Sequence, residues 1–82
     1  MRVASFYGFA RLAREELDPL RQGLLDLGQA EGVLGTVLLA EEGINGSLSG
    51  PESGVERILH HLQANPRLAQ LAIRRSTAPH PP

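Results

Sequence analysis

Hydrophobic and polar residues alternate along the first segment of the chain, RVASFYGF at residues 2–9. A period of two is typical of a β-strand, because successive side chains point to opposite faces. One predicted face carries Val3, Ser5, Tyr7 and Phe9, and the other carries Ala4, Phe6 and Gly8. Because both Phe residues and the single Tyr of the chain lie here, we predict a buried central strand.

The pattern then changes to the period of a helix. Residues 10–17 are rich in Arg and Glu, and we predict a connection or a short helical turn there. Asp18 suits an N-cap, and Pro19 suits the first helical position, where its missing N–H costs nothing. Leucines then recur at helical spacing until Gly32, which suits the end of a helix. The first helix is therefore predicted at residues 19–31.

Two strands joined by a tight turn are predicted in the middle of the chain. Residues 33–40, VLGTVLLA, form an apolar run, and residues 44–49, INGSLS, alternate between apolar and polar. Glu41, Glu42 and Gly43 lie between them and are predicted to form a short hairpin connection. We expect Gly43 to supply a positive φ angle in this turn.

A second helix and a last strand complete the chain. Pro51 suits the first turn of the helix, whose predicted buried face repeats at i, i+3, i+4 and i+7. That face consists of Val55, Ile58, Leu59 and Leu62. Asn65 and Pro66 are predicted to end the helix, and a strand follows near residues 70–75. The tail after residue 76 is rich in Pro, and we expect it to be frayed.

The predicted order, β-α-β-β-α-β, is that of the ferredoxin-like α+β fold. This split βαβ arrangement places two helices on one face of an antiparallel sheet. We assign residues 1–76 to one domain and residues 77–82 to the tail.

Composition narrows the possible chemistry. The chain has 82 residues, a formal net charge of −1, no Cys and no Lys. Disulfides, thiolate ligands and Cys or Lys nucleophiles are therefore excluded within it, and any RNA contact has to depend on a local patch. We find no signal peptide and no apolar stretch of about 20 residues, so we expect a cytoplasmic location and no membrane partner.

The hairpin AEEGINGSLSG carries the first candidate site. Adjacent carboxylates on a strand point to opposite faces, so Glu41 and Glu42 do not form a facing acid–base pair. One interpretation is turn chemistry, in which polar groups satisfy the N–H groups of the turn. The alternative is a site in which the amide of Asn45 orients water or binds phosphate.

Histidines provide the second candidate, a metal site. His60 and His61 are neighbours on the predicted helix and diverge by about 100°, and His80 lies in the tail. A zinc site needs three or four ligands, and the chain has neither Cys nor an HExxH motif. We therefore expect no metal and no cofactor in this chain.

Arginines provide the remaining candidates. Arg11 follows the first strand, near the start of the first helix, where anions bind. Together with Asn45 it resembles the Arg and Asn of acylphosphatase, although the Gly-rich phosphate loop is missing; the alternative for Arg11 is a solvated charge. Arg74 and Arg75, with Arg67 nearby, suit either phosphate contacts or protection of an edge strand.

Longer segments resemble one family. SFYGF, GTVLLAEEGINGSLSGPESGVERIL, NPRL and IRRS are similar to the N-terminal, acylphosphatase-like domain of the tRNA uridine hydroxylases, also called rhodanese-related sulfurtransferases. The resemblance covers nearly all of residues 4–76, and LLAEEGINGSLSG is its most specific part.

The resemblance implies a function for a longer protein. Members of that family use molecular oxygen to hydroxylate carbon 5 of a wobble uridine in tRNA, and a rhodanese domain that follows carries the cysteine associated with activity. This chain has no Cys, so the resemblance implies a module that binds or orients tRNA, or caps the rhodanese domain, without catalysis of its own. It also raises the prospect that Glu42, Gly43, Asn45 and Gly46 face a site completed by that domain. The alternatives are an acylphosphatase-like hydrolase of small acyl phosphates and a purely structural cap.

Overall fold

A four-stranded antiparallel sheet and two α-helices make up the computed structural model, which describes residues 1–77. In chain order the elements are β1 (Arg2–Phe9), α1 (Arg14–Glu31), β2 (Leu34–Ala40), β3 (Gly43–Gly50), α2 (Glu52–Gln63), a 3-10 helix (Pro66–Leu68) and β4 (Ala72–Thr77). The predicted β-α-β-β-α-β order and ferredoxin-like fold are confirmed. The strands lie in the order β2-β3-β1-β4, so β1 is central, as predicted, and β2 and β4 are the edges.

Only one face of the sheet contributes to the core. On β1, Ala4 and Phe6 are buried, whereas Ser5, Tyr7 and Phe9 are exposed. The core consists of Ala4, Phe6, Leu12, Leu24, Val33, Ile44, Leu48, Val55, Ile58, Leu59, Leu62, Leu68 and Leu71. The predicted face of α2 is part of it and is fully buried. The prediction that β1 is buried is therefore wrong for one of its two faces, because both helices pack against the other.

The first helix begins earlier than predicted. It starts at Arg14 after Ala13, so Asp18 is not its N-cap and Pro19 lies inside the helix. The apolar stripe of α1 extends one turn toward its start, to Leu17, which packs against the core. Pro19 has no N–H, so the carbonyl of Glu15 lacks its helical hydrogen-bond donor. Pro19 is exposed, so this carbonyl lies in the first turns of the helix beside an exposed residue. Asp18 instead accepts a hydrogen bond from Arg21 at 2.7 Å.

The end of α1 follows the prediction. Gly32 has φ 68°, the left-handed conformation that favours glycine. The next amide, of Val33, donates to the carbonyl of Gly28 at 2.9 Å and satisfies one of the last carbonyls of the helix. The chain is thereby turned directly into β2.

Element boundaries differ from the prediction elsewhere by a few residues. Gly43 already belongs to β3, so only Glu41 and Glu42 form the turn of the hairpin. The 3-10 helix after α2 was not predicted; Asn65 caps it by accepting a hydrogen bond from the amide of Arg67 at 3.0 Å. β4 lies two residues later than predicted and includes Thr77, the first residue assigned to the tail. The other residues of the tail, with His80, lie outside the described residues.

Candidate functional site

The face of the sheet that carries no helix, which we call the open face, is the candidate site. The strand register assembles it from alternate residues of all four strands. Its members are Val3, Ser5, Tyr7 and Phe9 on β1, Leu34, Thr36, Leu38 and Ala40 on β2, Gly43, Asn45, Ser47 and Ser49 on β3, and Ala72, Arg74 and Ser76 on β4. Polar side chains predominate on β3, whereas β1 and β2 contribute large apolar ones.

Aromatic side chains stand exposed on this face. Tyr7 is 62% exposed and Phe9 is 94% exposed, although both lie on the central strand. Leu38 is 62% exposed on the edge strand β2. Large apolar groups grouped on one exposed face mark a site of interaction more often than isolated ones do.

Asn45 lies at the centre of one row of the open face. It is opposite Tyr7 on one side and Leu38 on the other. Side chains directly opposite each other on antiparallel strands lie about 4.5–5.5 Å apart at Cβ, so these three groups are neighbours. The side-chain amide of Asn45 has no hydrogen-bond partner among residues 1–77, which leaves its donor and acceptor available to a ligand.

Two concavities lie on either side of Tyr7. One, of about 360 Å³, is lined by Tyr7 together with residues that include Phe9, Leu38, Glu42 and Asn45. The other, of about 400 Å³, is lined by Tyr7, Ser5, Ala72, Ile73 and Arg74. Tyr7 thus lines both spaces.

The Glu-Glu turn is fixed by its main chain. The carbonyl of Glu42 accepts a hydrogen bond from the amide of Ala10, and that of Glu41 accepts one from the amide of Leu12, both at 2.9 Å. These bonds extend the pairing of β1 with β3 into the loop before α1. Both carboxylates are exposed, and Gly43 has the positive φ that was predicted, 157°.

The three candidate arginines lie in different places. Arg74 is on the open face, opposite Ser5, and its guanidinium has no partner in the described part of the chain. Arg75 points to the other face and binds the carboxylate of Glu56 through Nε, at 2.8 and 3.0 Å. Arg11 is exposed in the loop after β1, and Arg67 donates to its carbonyl at 2.9 Å. Arg74 and Arg75 therefore do not form one patch.

The same loop bears on the acylphosphatase alternative. A phosphate cradle needs free main-chain N–H groups, but those of Ala10 and Leu12 already donate to the hairpin. Glu15 and Glu16 occupy the first turn of α1 and place negative charge beside any anion there. The loop is therefore poorly suited to holding an acyl phosphate.

Histidines and other metal-binding groups do not converge. His60 and His61 are both exposed on α2. Among residues 1–77 no group of three or more His, Cys, Asp or Glu side chains is arranged to hold a metal ion. In the same residues, neither helix is long and apolar enough to cross a membrane.

Glu56 is the carboxylate that the fold perturbs most clearly. Its hydrogen bonds to Arg75, and the nearby charges of Arg75 and Arg2, hold the pKa of Glu56 below its ordinary value of 4.5, against the opposing effect of burial. In return, the hydrogen bond that Arg75 donates to Glu56 raises the pKa of Arg75. Arg2 also binds Glu52 at 2.7 Å, so the four side chains form one network beside α2.

Replacing Glu56 by glutamine is expected to cost about 0.5 kcal/mol at pH 7, because the network is partly exposed and screened. A carboxylate with a lowered pKa in the folded state stabilises the protein above its unfolded pKa and loses that contribution as the pH falls through the folded pKa. The difference between wild type and Glu56→Gln should therefore be constant above the ordinary carboxyl pKa of about 4.3 and shrink progressively as the pH falls below it. Urea titrations at several pH values test this, with Glu41→Gln in the turn as the control; a difference that grows as the pH falls below about 4 would contradict it.

Sequence reasoning missed Tyr7 and Phe9 as site residues, because both were assigned to the core. The polar residues Ser5, Asn45, Ser47 and Ser49 fall on the same face as the two aromatics in any antiparallel pairing of β1 with β3 that has this register. The presence of these polar residues on the face of Tyr7 and Phe9 was the one indication in the sequence that the face is exposed.

The comparisons with known proteins agree with this architecture. Residues 1–82 match the family described as UPF0176 acylphosphatase like domain. A protein named tRNA uridine(34) hydroxylase from Agrobacterium fabrum is 50% identical over 80 residues, which cover 98% of this chain and 25% of that protein. One of the same name from Gluconobacter oxydans is 40% identical over 82 residues, or 100% of this chain and 26% of that protein. The chain thus spans about a quarter of the length of these relatives.

Solved structures of low identity show the fold alone. A bacterial light-regulated adenylyl cyclase superposes with a TM-score of 0.79 at 12% identity, over 98% of this chain and 24% of that one. The de novo designed protein Ferredog-Diesel gives a TM-score of 0.60 at 16% identity, over 94% of this chain and 85% of the design. The family match, by contrast, runs over the entire sequence. The chain therefore belongs to the UPF0176 acylphosphatase like domain family.

Proposed function

We propose that this chain is the module of a tRNA-modifying enzyme that binds and orients tRNA for a catalytic domain elsewhere in the polypeptide. The reaction proposed for the whole enzyme is oxygen-dependent hydroxylation of the wobble uridine, with a rhodanese domain as the catalytic part. The names of the relatives and their fourfold greater length support this division of labour. The absence of Cys from this chain supports it as well, since the chain has no thiolate of its own.

The observation that carries the proposal is the open face itself. It presents the exposed rings of Tyr7 and Phe9 and the unpartnered guanidinium of Arg74 without a covering helix. Exposed aromatics with a cation beside them are what single-stranded RNA requires of a protein surface. A net charge of −1 gives no general attraction to RNA, so binding depends on these local groups.

The hairpin belongs to the same surface in this proposal. Asn45 is beside Tyr7, and Glu42 lines the same concavity. Gly43 and Gly46 let the strands approach closely beneath it, since a Cβ at Gly46 would lie 2.5 Å from the carbonyl oxygen of Thr36. That Glu42 and Asn45 also face the catalytic domain stays a prediction.

Titration of the domain with labelled tRNA at 50 and 200 mM salt tests the proposed function. We expect amide shifts at Glu42–Gly46 and Arg74, and an affinity about sevenfold lower at the higher salt if Arg74 and Arg11 each contact one phosphate. Arg75→Gln serves as a control, because its charge is engaged with Glu56 on the other face. The absence of any shift at 50 mM salt would contradict tRNA binding and favour a structural cap that contacts only the rhodanese domain.

A further inference from the structure

We infer that Tyr7 is a two-sided stacking platform for successive unpaired nucleobases, with the phosphates of the strand on the β4 side and the base edges toward β3. This inference rests on the proposed function and specifies how the RNA is held. It assigns the ligand as single-stranded RNA, such as a loop, rather than duplex.

The position of Tyr7 between the two concavities is the first observation that supports the inference. Tyr7 borders both concavities of the open face, of about 360 and 400 Å³, and it is 62% exposed. In this inference the ring of Tyr7 stands between the two spaces and accepts an aromatic base against each face. Phe9, two residues further along the same face and 94% exposed, continues the platform toward the hairpin.

The charges of Arg74 and Glu42 determine how the RNA strand is oriented on the open face. Arg74, without a partner among residues 1–77, lines the concavity on the β4 side and is suited to a phosphate. Glu42 lines the concavity on the β3 side, where its carboxylate repels phosphate. The backbone of the RNA is therefore expected along β4, and the bases along β1 and β3.

Hydrogen-bonding groups on the β3 side suit base edges. The amide of Asn45 offers both a donor and an acceptor, and the carboxylate of Glu42 accepts. A base with an N–H beside a carbonyl on its Watson–Crick edge, as in uracil or guanine, matches this pair. In a duplex that edge is occupied by the complementary base, so only an unpaired nucleotide presents it.

A protein partner fits this face less well. The apolar residues of the open face do not form one continuous patch, because Ser5, Ser47 and Thr36 make a polar row across β1, β3 and β2. Two exposed aromatic rings on one side of this polar row, with one free cation in the described part of the face, match stacked bases joined by a charged backbone.

A single-stranded RNA heptamer of uridines with a central 2-aminopurine tests the inference. Stacking on Tyr7 should quench the fluorescence of 2-aminopurine, and a duplex that contains the same strand should bind at least tenfold more weakly. Tyr7→Leu, which keeps an apolar side chain but removes the ring, should weaken binding about 5- to 100-fold, whereas Tyr7→Phe should stay within about twofold of wild type. Phe9→Leu should also weaken binding. Arg74→Gln should reduce the slope of log affinity against log salt concentration by the amount expected for about one phosphate contact.

Leu25→Ala is the matched control, because Leu25 is 56% exposed but lies on α1, away from the open face. It should leave binding unchanged, and thermal unfolding should show that all the variants remain folded. If wild type binds tRNA but Tyr7→Leu binds the heptamer as well as wild type does, the stacking inference is wrong while the proposed function stands. If neither tRNA nor the heptamer binds to wild type, both are wrong.

Discussion

Replacing Leu62 by alanine is expected to lower the free energy of unfolding by about 2–5 kcal/mol, the usual cost of truncating a buried leucine. Leu62 is 0% exposed on the inner face of α2, where it packs within the single core of the domain. A domain of this size has a total stability of about 4–12 kcal/mol, so the variant should lose a large share of it.

Urea denaturation measures this loss as a lower midpoint with an unchanged slope. Leu25→Ala makes the same chemical change on an exposed helical position and should cost less than about 1 kcal/mol. If the two variants lost equal stability, the assignment of Leu62 to the core would be wrong. A slope that fell in Leu62→Ala alone would instead indicate that its native state is no longer uniquely packed.

Replacing Gly43 by alanine is expected to destabilise the domain by about 2–3 kcal/mol and to disturb the hairpin that borders the open face. A Cβ at this position would lie 2.2 Å from the carbonyl oxygen of Gly8, an approach that neither strand accommodates without a backbone shift. Since the neighbour is main chain and not a flexible side chain, β1 and β3 have to separate locally.

Gly23→Ala is the control for this prediction, with the opposite sign. Gly23 lies inside α1, and its nearest neighbour to an added Cβ is His61 at 3.7 Å, which is ordinary contact. Alanine should therefore stabilise the domain by about 0.5–1 kcal/mol through its helix propensity. Chemical denaturation separates the two variants, and NMR should place the shifts of Gly43→Ala near Phe9 and Gly43. A Gly43→Ala variant as stable as wild type would contradict the close approach of the strands.

Much of the fold was predictable because local periodicity agrees with the tertiary structure. The alternation in β1 and β3 and the i, i+3, i+4, i+7 pattern of α2 determine the element types, and Gly32 marks the end of α1 by its backbone freedom. The start of α1 was predicted incorrectly because Pro19 was assigned to the first helical position. The extra turn depends on Leu17, whose partner residues are distant in the sequence.

The side of β1 that the helices cover was not predictable from β1 itself. On the covered face, β1 carries Phe6 between the small residues Ala4 and Gly8, whereas Tyr7 and Phe9 are on the open face. Close packing explains why Gly8 is on the covered face: a Cβ at this position would lie 2.7 Å from the side chain of Leu71. Small residues on the covered face leave room for the layer above, which hydrophobicity alone does not indicate. The candidate site therefore emerged only when the layers were assembled.

The pairing of Arg2 with Thr77 determines where a longer chain would be tethered. These residues lie at one end of the sheet, whereas Phe9 and Gly43 are paired at the other end, about 23 Å away along β1. In a relative that continues past this point, the linker begins beside Arg2. A following domain that meets the hairpin must either reach along the whole sheet or be connected by at least about seven extended residues. In such a relative, a shorter linker would keep any following domain that does not span the sheet away from the hairpin.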